Sequence, residues 1–260
     1  MKGIMLCEGI KEEEIKNLKG NWKANIKFDG ERIIAVKKGE DVFLINRRGR
    51  EKSHIYPEIV RSLKQSEKDF ILDGEIITNN GLFNSLQHRS NLSDRQKIKE
   101  AEKDYPIKYM VFDILMVNGK YLMNKCLKER LTYWDFKFKN VMLCDYGKIN
   151  KVLEYARRTE QEGIVIKNMD SLYEQRRSKN WLKCKFFKET ELRVIQYVEN
   201  NKGIRVEDKK QNAIQVSGEQ HKAVKQQIDT KGYCDIYIQY LTQNEETKKY
   251  RFPSYRGIKK

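Results

Sequence analysis

An α+β chain in two domains is what this sequence predicts, and two observations carry the prediction. Through the first 188 residues, stretches with helical periodicity are interspersed with short β-branched runs bounded by turn residues. After Glu189 the texture changes to five short alternating segments, at 192–198, 203–206, 213–216, 233–240 and 250–255, with one helical stretch at 220–229. Five strands and one helix in about seventy residues suit a small closed barrel of the OB type. The boundary is therefore placed near Lys188, giving domains 1–188 and 189–260.

In order, the first domain reads as a short helix over 10–18, then a strand–turn–strand unit over 23–48. Asp29-Gly30 is the hairpin turn of that unit, its second strand is 42–45, and a basic turn, Asn46-Arg47-Arg48-Gly49-Arg50, follows. Ile59, Val60 and Leu63 have helical spacing within 57–63. A strand at 70–72, a turn at Asp73-Gly74 and more strand at 75–78 come next. Residues 81–104 read as helical, with Leu82, Phe83 and Leu86 on one side. A buried strand at 107–115 leads to the hairpin signal Asn118-Gly119, then to helices at 125–137 and 148–162 and strands at 164–166 and 181–187.

Composition narrows the partners. Charged residues are 35% of the 260 and the hydrophobic set 39%, the balance of a soluble globular protein with a real core. No apolar run has the length of a membrane span, and the N-terminal stretch lacks the pattern of a signal peptide. The formal charge of +16, from 53 Lys and Arg against 37 Asp and Glu, favours a polyanionic partner, nucleic acid ahead of acidic membrane. The five cysteines form no C-x-x-C pair and the three histidines have no metal-ligand spacing. A reducing compartment, the cytoplasm, is the expected location.

Charged residues recur at strand ends. Lys27 opens KFDGER with Asp29 two residues on. A lysine there can be a nucleophile or an ordinary surface lysine. Glu75 opens an apolar strand, and Glu162 precedes Gly163 and the run IVIK, which ends in Lys167. Lys183 and Lys185 alternate in WLKCK, so on a strand they face one way. Two adjacent ammonium groups are costly without an anion between them, and a triphosphate would satisfy both; the other reading leaves both in solvent.

The order KFDGER, LDGEII, VFDIL, EGIVIK, WLKCK and RFPSYRGIK resembles the ATP-dependent DNA ligases of the covalent nucleotidyltransferase superfamily, from about residue 20 to 260 and at the minimal size of viral, phage and some bacterial enzymes. The resemblance implies an ATP-grasp-like nucleotidyltransferase domain of antiparallel sheets and helices followed by an OB-fold barrel. It implies a monomer that uses ATP and Mg²⁺, with Mn²⁺ able to substitute, to seal nicked duplex DNA through lysyl-AMP and DNA-adenylate. By resemblance Lys27 is the nucleophile, Asp29 its orienting carboxylate, and Lys183 and Lys185 the pair that neutralises the α-phosphate. Ile26, Arg32, Arg47, Glu75, Phe112, Lys167 and Arg251 are implied at the nucleotide, Phe112 stacking on adenine, and Glu75 and Glu162 at the metal. The DNA track is expected along Arg48, Arg50, Arg89, Arg176, Arg177, Lys188 and Arg256.

Three features depart from the family's pattern. Asn25 stands where many relatives carry glutamate or threonine near adenine, Lys259 stands where an arginine is frequent, and a tight turn at 200–203 replaces a long inserted hairpin. No extended latch and no N-terminal DNA-binding domain are therefore expected. Capping guanylyltransferases and RNA ligases share the KxDG core and are the rivals within the same chemistry. A non-catalytic nucleic-acid-binding barrel protein is the rival outside it. That rival predicts loss of Lys27, Glu162 or the Lys183/Lys185 pair, and all are present.

Overall fold

Two sheets build the first of the two units, Met1–Cys184 and Lys185–Lys260, into which the computed structural model divides. The structure describes residues 3–81, 83–244 and 247–259, so the expectation for Leu82 lies outside it. In chain order come β1 (Leu6–Gly9), a 3-10 helix (Glu12–Asn17), β2 (Trp22–Ile26), β3 (Glu31–Lys38), β4 (Asp41–Asn46), α1 (Pro57–Lys64) and β5 (Phe70–Thr78). They are followed by α2 (Phe83–Ser90), α3 (Arg95–Asp104), β6 (Ile107–Val117), β7 (Lys120–Tyr121), α4 (Leu127–Leu131), β8 (Val141–Leu143), α5 (Ile149–Arg158), β9 (Gly163–Asn168) and β10 (Arg177–Lys185). The class is α+β.

One sheet has the order β4-β3-β5-β6-β7, with β8 parallel to β6. The other has the order β1-β10-β9-β2, with β1 parallel to β10 and β2 antiparallel to β9. Each sheet has helical cover: α1 lies on β4, α2 on β5 and α4 on β6, while α5 packs on β2 and β9. The larger core gathers Ile33, Leu44, Tyr56, Leu63, Phe70, Leu72, Tyr109 and Ile114. A second cluster joins Phe112 and Leu115 of β6 to Trp181 of β10 and Met5 just before β1.

Several expectations are corrected here. Asp29-Gly30 is not a hairpin turn: β2 pairs with β9, whereas β3 pairs with β4 and β5, so the chain crosses between sheets at this point. Gly30 serves a close approach, since a Cβ there would sit 2.1 Å from the Ile76 carbonyl oxygen and 2.8 Å from Glu75 Cγ. Asp73-Gly74 is not a turn either. It lies inside the continuous strand β5, at a register shift against β6. A Cβ on Gly74 would meet the Met110 carbonyl at 2.5 Å and the Tyr109 ring at 2.6 Å.

The single helix expected over 81–104 is two, because Asp94 starts α3 by accepting a hydrogen bond from the Lys97 amide at 2.9 Å. The helix expected over 125–137 stops at Leu131. Beyond it, packing overrides helical propensity: Phe136 and Phe138 stack nearly parallel at 5.5 Å, and both meet Trp134 and Phe70 edge to face, the Phe70–Phe136 centroids 5.2 Å apart.

The second unit comprises β11 (Lys188–Asn200), β12 (Gly203–Asp208), β13 (Ala213–Val216), α6 (Gln220–Lys231), β14 (Cys234–Tyr240), β15 (Thr242–Gln243), β16 (Tyr250–Arg251) and β17 (Ser254–Ile258). The sheet order is β13-β12-β11-β14-β17, antiparallel throughout, and the outer strands β13 and β17 approach each other. Val194, Val206, Val216, Ile236 and Ile238 fill its interior with Val224 and Ile228 of α6. The strand expected over 250–255 is broken in two at Phe252, whose φ of 52° is left-handed, and Pro253.

Candidate active site

A cleft of about 230 Å³ opens in the first unit. Strand alternation supplies one wall. Asn25 of β2 and Lys27, just past its end, point the same way, Val165 and Lys167 share a face of β9, and Trp181 and Lys183 a face of β10, and all six line the cleft. The register pairs Asn25 with Val165 and Lys23 with Lys167. Leu6 and Cys7 extend this wall onto β1. The facing wall comes from the other sheet: Arg32 of β3, Arg47 just after β4, Glu75 of β5 and Phe112 of β6. Ile26, Phe28 and Arg177 complete the lining.

Charge is concentrated in this space. Lys27 Nζ lies 2.6 Å from Glu162 Oε2, and the Lys27 amide donates to the Gly163 carbonyl at 2.9 Å, which ties the end of β2 to the start of β9. Glu162 is nearly buried, while Lys27 is about one-fifth exposed. Arg32 grips Asp73 bidentately, Nε to Oδ1 at 2.9 Å and Nη2 to Oδ2 at 2.6 Å. Burial opposes its charge, but the Asp73 carboxylate outweighs that and holds the guanidinium more firmly protonated than usual. Burial pushes the Glu75 carboxyl up to about 7, with Lys27 and Arg32 opposing and Asp73 and Glu162 adding to the rise.

The deep end is aromatic. Lys167, 2% exposed, donates to Tyr146 Oη at 2.8 Å and the Phe112 carbonyl at 3.3 Å, with its Nζ 3.7 Å from the Trp181 ring centroid and 4.3 Å from that of Phe112. Burial lowers its pKa to about 8. Phe112 and Trp181 meet edge to face at 5.7 Å. Asn25 is buried too, its Nδ2 donating to the Ile26 carbonyl at 2.8 Å; among the described residues neither its Oδ1 nor the buried Trp181 Nε1 has a hydrogen-bond partner. Cations on both walls, the Glu75 carboxyl among them and flat rings beside them suit a ligand that joins a polyphosphate to an aromatic base.

Nine of the residues expected at the site line this cleft: Ile26, Lys27, Arg32, Arg47, Glu75, Phe112, Lys167, Arg177 and Lys183. Glu162 joins them through its ion pair. Asp29 lies in the loop between the sheets, outside the lining. Arg48 and Arg50 are exposed on the basic turn, their amides donating to Asn46 Oδ1, and Arg176 is exposed and paired with Glu174. In the second unit, Lys188 is exposed, the Lys185 ammonium lies 5.0 Å from the Phe252 ring centroid, and the Arg251 guanidinium lies 5.1 Å from it. Arg256 is bonded to Gln239.

Arg89 is a correction. Its side chain is fully buried, and it donates to the carbonyls of Ala101, Tyr105 and Ile55 and to Glu58. It stitches α2 and α3 to the segment before α1 and has no surface to offer a DNA track. Arg89→Ala is expected to cost about 3–5 kcal/mol of stability, because it strands Glu58 and three carbonyls. The salt slope of nucleic-acid binding should stay as it was. Unchanged thermal melting together with a shallower salt slope would show that Arg89 contacts phosphate after all.

Trp181, Asp73, Val165, Phe28, Leu6 and Cys7 were not among the expected site residues. The alternation that pairs Lys183 with Lys185 also selects Trp181. No local signal marks Leu6 and Cys7, whose strand pairs with residues some 170 positions away.

Comparison with known proteins shows the family and the fold. The family model described as "ATP dependent DNA ligase domain" matches residues 4–185. The chain belongs to that family. It is 33% identical over 135 residues to DNA ligase 2 of Thermofilum pendens, covering 48% of this chain and 22% of that protein. It is 31% identical over 203 residues to the DNA ligase of Sulfolobus acidocaldarius, covering 70% of this chain and 33% of that one. The chain thus spans a third or less of the length of these two relatives. In fold it is similar to a Lig E DNA ligase described as a minimal scaffold for DNA binding, with a TM-score of 0.71, 15% identity and 99% of each chain covered. The ligase domain of LigD from M. tuberculosis superposes with a TM-score of 0.59 and 18% identity, covering 99% of this chain and 94% of that one.

Proposed function

We propose that this chain is an ATP-dependent DNA ligase that seals nicks between a 3′-OH and a 5′-phosphate in duplex DNA, carrying AMP on Lys27. The observation that carries the proposal is the position of Lys27, ion-paired with Glu162 in a cleft shared with Arg32, Glu75, Phe112, Lys167 and Lys183. The Lys27 amine attacks the α-phosphorus of ATP. The N–P bond forms, the bond to pyrophosphate breaks, and the amine gives up its proton, for which Glu162 Oε2 is the nearest base. AMP then passes to the 5′-phosphate at a nick, and the 3′-OH displaces it.

Each remaining residue has a part in this reading. Arg32 and Lys183 stabilise phosphate charge as it develops, joined by Lys185. Asp29 orients the lysine, Phe112 stacks on adenine beside Ile26 and Lys167, and Arg47 and Arg251 meet the triphosphate or ribose. Arg48, Arg50, Arg176, Arg177, Lys188 and Arg256 form the DNA track.

Among the described residues no group of three or more His, Cys, Asp or Glu is placed to hold a metal. Glu75 on the cleft wall and Glu162, which reaches the cleft through its ion pair with Lys27, nevertheless fit Mg²⁺, which takes one or two carboxylates and completes its shell with water and substrate phosphate. When bound, it supplies charge neutralisation at the phosphates. The second unit, with its five-stranded antiparallel sheet and approaching outer strands, supports the OB-barrel reading and a role in holding duplex. No helix among the described residues is long and apolar enough to cross a membrane. We place the enzyme in the cytoplasm, acting as a monomer.

The test is incubation with Mg²⁺ and α-labelled ATP or GTP, followed by denaturing electrophoresis and a nick-sealing assay. An acid-labile AMP adduct and sealed nicked DNA are expected. An adduct with GTP alone would move the chain to capping chemistry, and sealing of RNA nicks alone to RNA ligation.

A further inference from the structure

The Arg32–Asp73 pair is part of a closed circuit that reaches the N-terminal segment. Tyr173, 6% exposed, donates from Oη to Asp73 Oδ2 at 2.7 Å and accepts from the Met5 amide at 3.1 Å. Arg32 Nη1 donates to the Met5 carbonyl at 2.7 Å and so closes the ring. Three of the five guanidinium N–H groups are thereby committed, one at each nitrogen, leaving one on each Nη. Arg32 lines the cleft, with its guanidinium 5.2 Å from the Phe112 ring centroid and 5.6 Å from that of Trp181.

We propose that Tyr173 is a positioning residue, whose hydroxyl fixes Asp73 and, through it, the aim of the Arg32 fork at the nucleotide. The ring and the hydroxyl do separate work. The ring packs edge to face on Trp181 at 5.8 Å and carries the fit. Among the described residues the hydroxyl bonds only the circuit around Arg32. Asp73 Oδ2 therefore has two donors converging on it, Arg32 and Tyr173, and loss of the second lets the carboxylate rotate with the arginine attached. A fork that must meet phosphate or ribose oxygens with both free N–H groups is sensitive to such rotation. The inference rests on the reading of this cleft as the nucleotide site.

A double-mutant cycle on the full chain decides it, using Tyr173→Phe, Arg32→Lys and the pair. Tyr173→Phe keeps the ring, so thermal melting should shift by only a few degrees. Adduct formation at saturating ATP should slow about tenfold, the factor carried by a hydrogen bond to a charged group. In the Arg32→Lys background, where the bidentate fork is already gone, the same change should alter the rate less than about twofold. Equal tenfold losses in both backgrounds, or no loss in the single variant, overturn the proposal. The cycle is also read on ATP affinity by titration calorimetry without added metal. Absence of any adduct in the unaltered chain would sink the nick-sealing reading, while coupling in ATP affinity would still judge Tyr173.

Discussion

Lys27→Arg is expected to lose the covalent nucleotide adduct by more than about 10⁴-fold, as removal of an essential nucleophile does. Arginine keeps a positive charge beside Glu162, so the cleft's electrostatics survive, but a guanidinium that stays protonated cannot attack phosphorus. Lys27→Ala should lose the adduct equally. Agreement between the two separates nucleophilicity from charge. The other lysines of the cleft do not substitute: Lys167 is held by Tyr146 and the Phe112 carbonyl at the aromatic end, and Lys183 lies on a different strand. The measurement is label retained on the protein after denaturation. A Lys27→Arg protein that still accumulates the adduct would place the nucleophile elsewhere.

The second large effect is on stability. Arg130 and Asp113 are both fully buried and paired bidentately, Nε to Oδ1 and Nη2 to Oδ2, each at 2.7 Å. Arg130 also donates to the carbonyls of Lys125 and Ser171, so it joins α4, β6 and the loop after β9. Arg130→Ala leaves a buried carboxylate uncompensated and should cost about 3–5 kcal/mol, a large part of the roughly 5–15 kcal/mol of a typical domain. A joint replacement, Arg130→Met with Asp113→Leu, should recover most of the loss, because it removes the charge instead of stranding it. Urea unfolding of the three proteins gives the answer. A single variant as stable as the parent would mean that water or a neighbour takes over the carboxylate.

How far the molecule was legible in its sequence depended on whether a signal was local. Alternation in EGIVIK and WLKCK put Lys167, Lys183 and, unnoticed, Trp181 on one sheet face. The Asn118-Gly119 hairpin is where the dipeptide places it, both residues having positive φ. Asp29-Gly30 and Asp73-Gly74 carried the same kind of signal and meant something else. Their glycines answer to backbone and side chains arriving from distant strands, which composition does not report. Arg89 shows the corresponding limit for charge. It is spelled like Arg48 or Arg176, and only the partners gathered by α2, α3 and α1 separate a buried strut from a surface cation. The resemblance began near residue 20 and missed Leu6 and Cys7 because β1 has no nearby partner.

That parallel strand also orders the protein's assembly in time. Leu6 is matched with Arg177, so the first strand of this unit waits for its last strand before it can pair. At ribosomal rates of about 5–20 residues per second, the interval is roughly ten to thirty seconds. Through it residues 6–9 have no sheet to join, and the Met5 backbone that closes the circuit around Arg32 is out of place. The cleft is therefore a late product of synthesis, and a nascent chain interrupted before β10 carries Lys27 but lacks the wall that Trp181 and Lys183 supply.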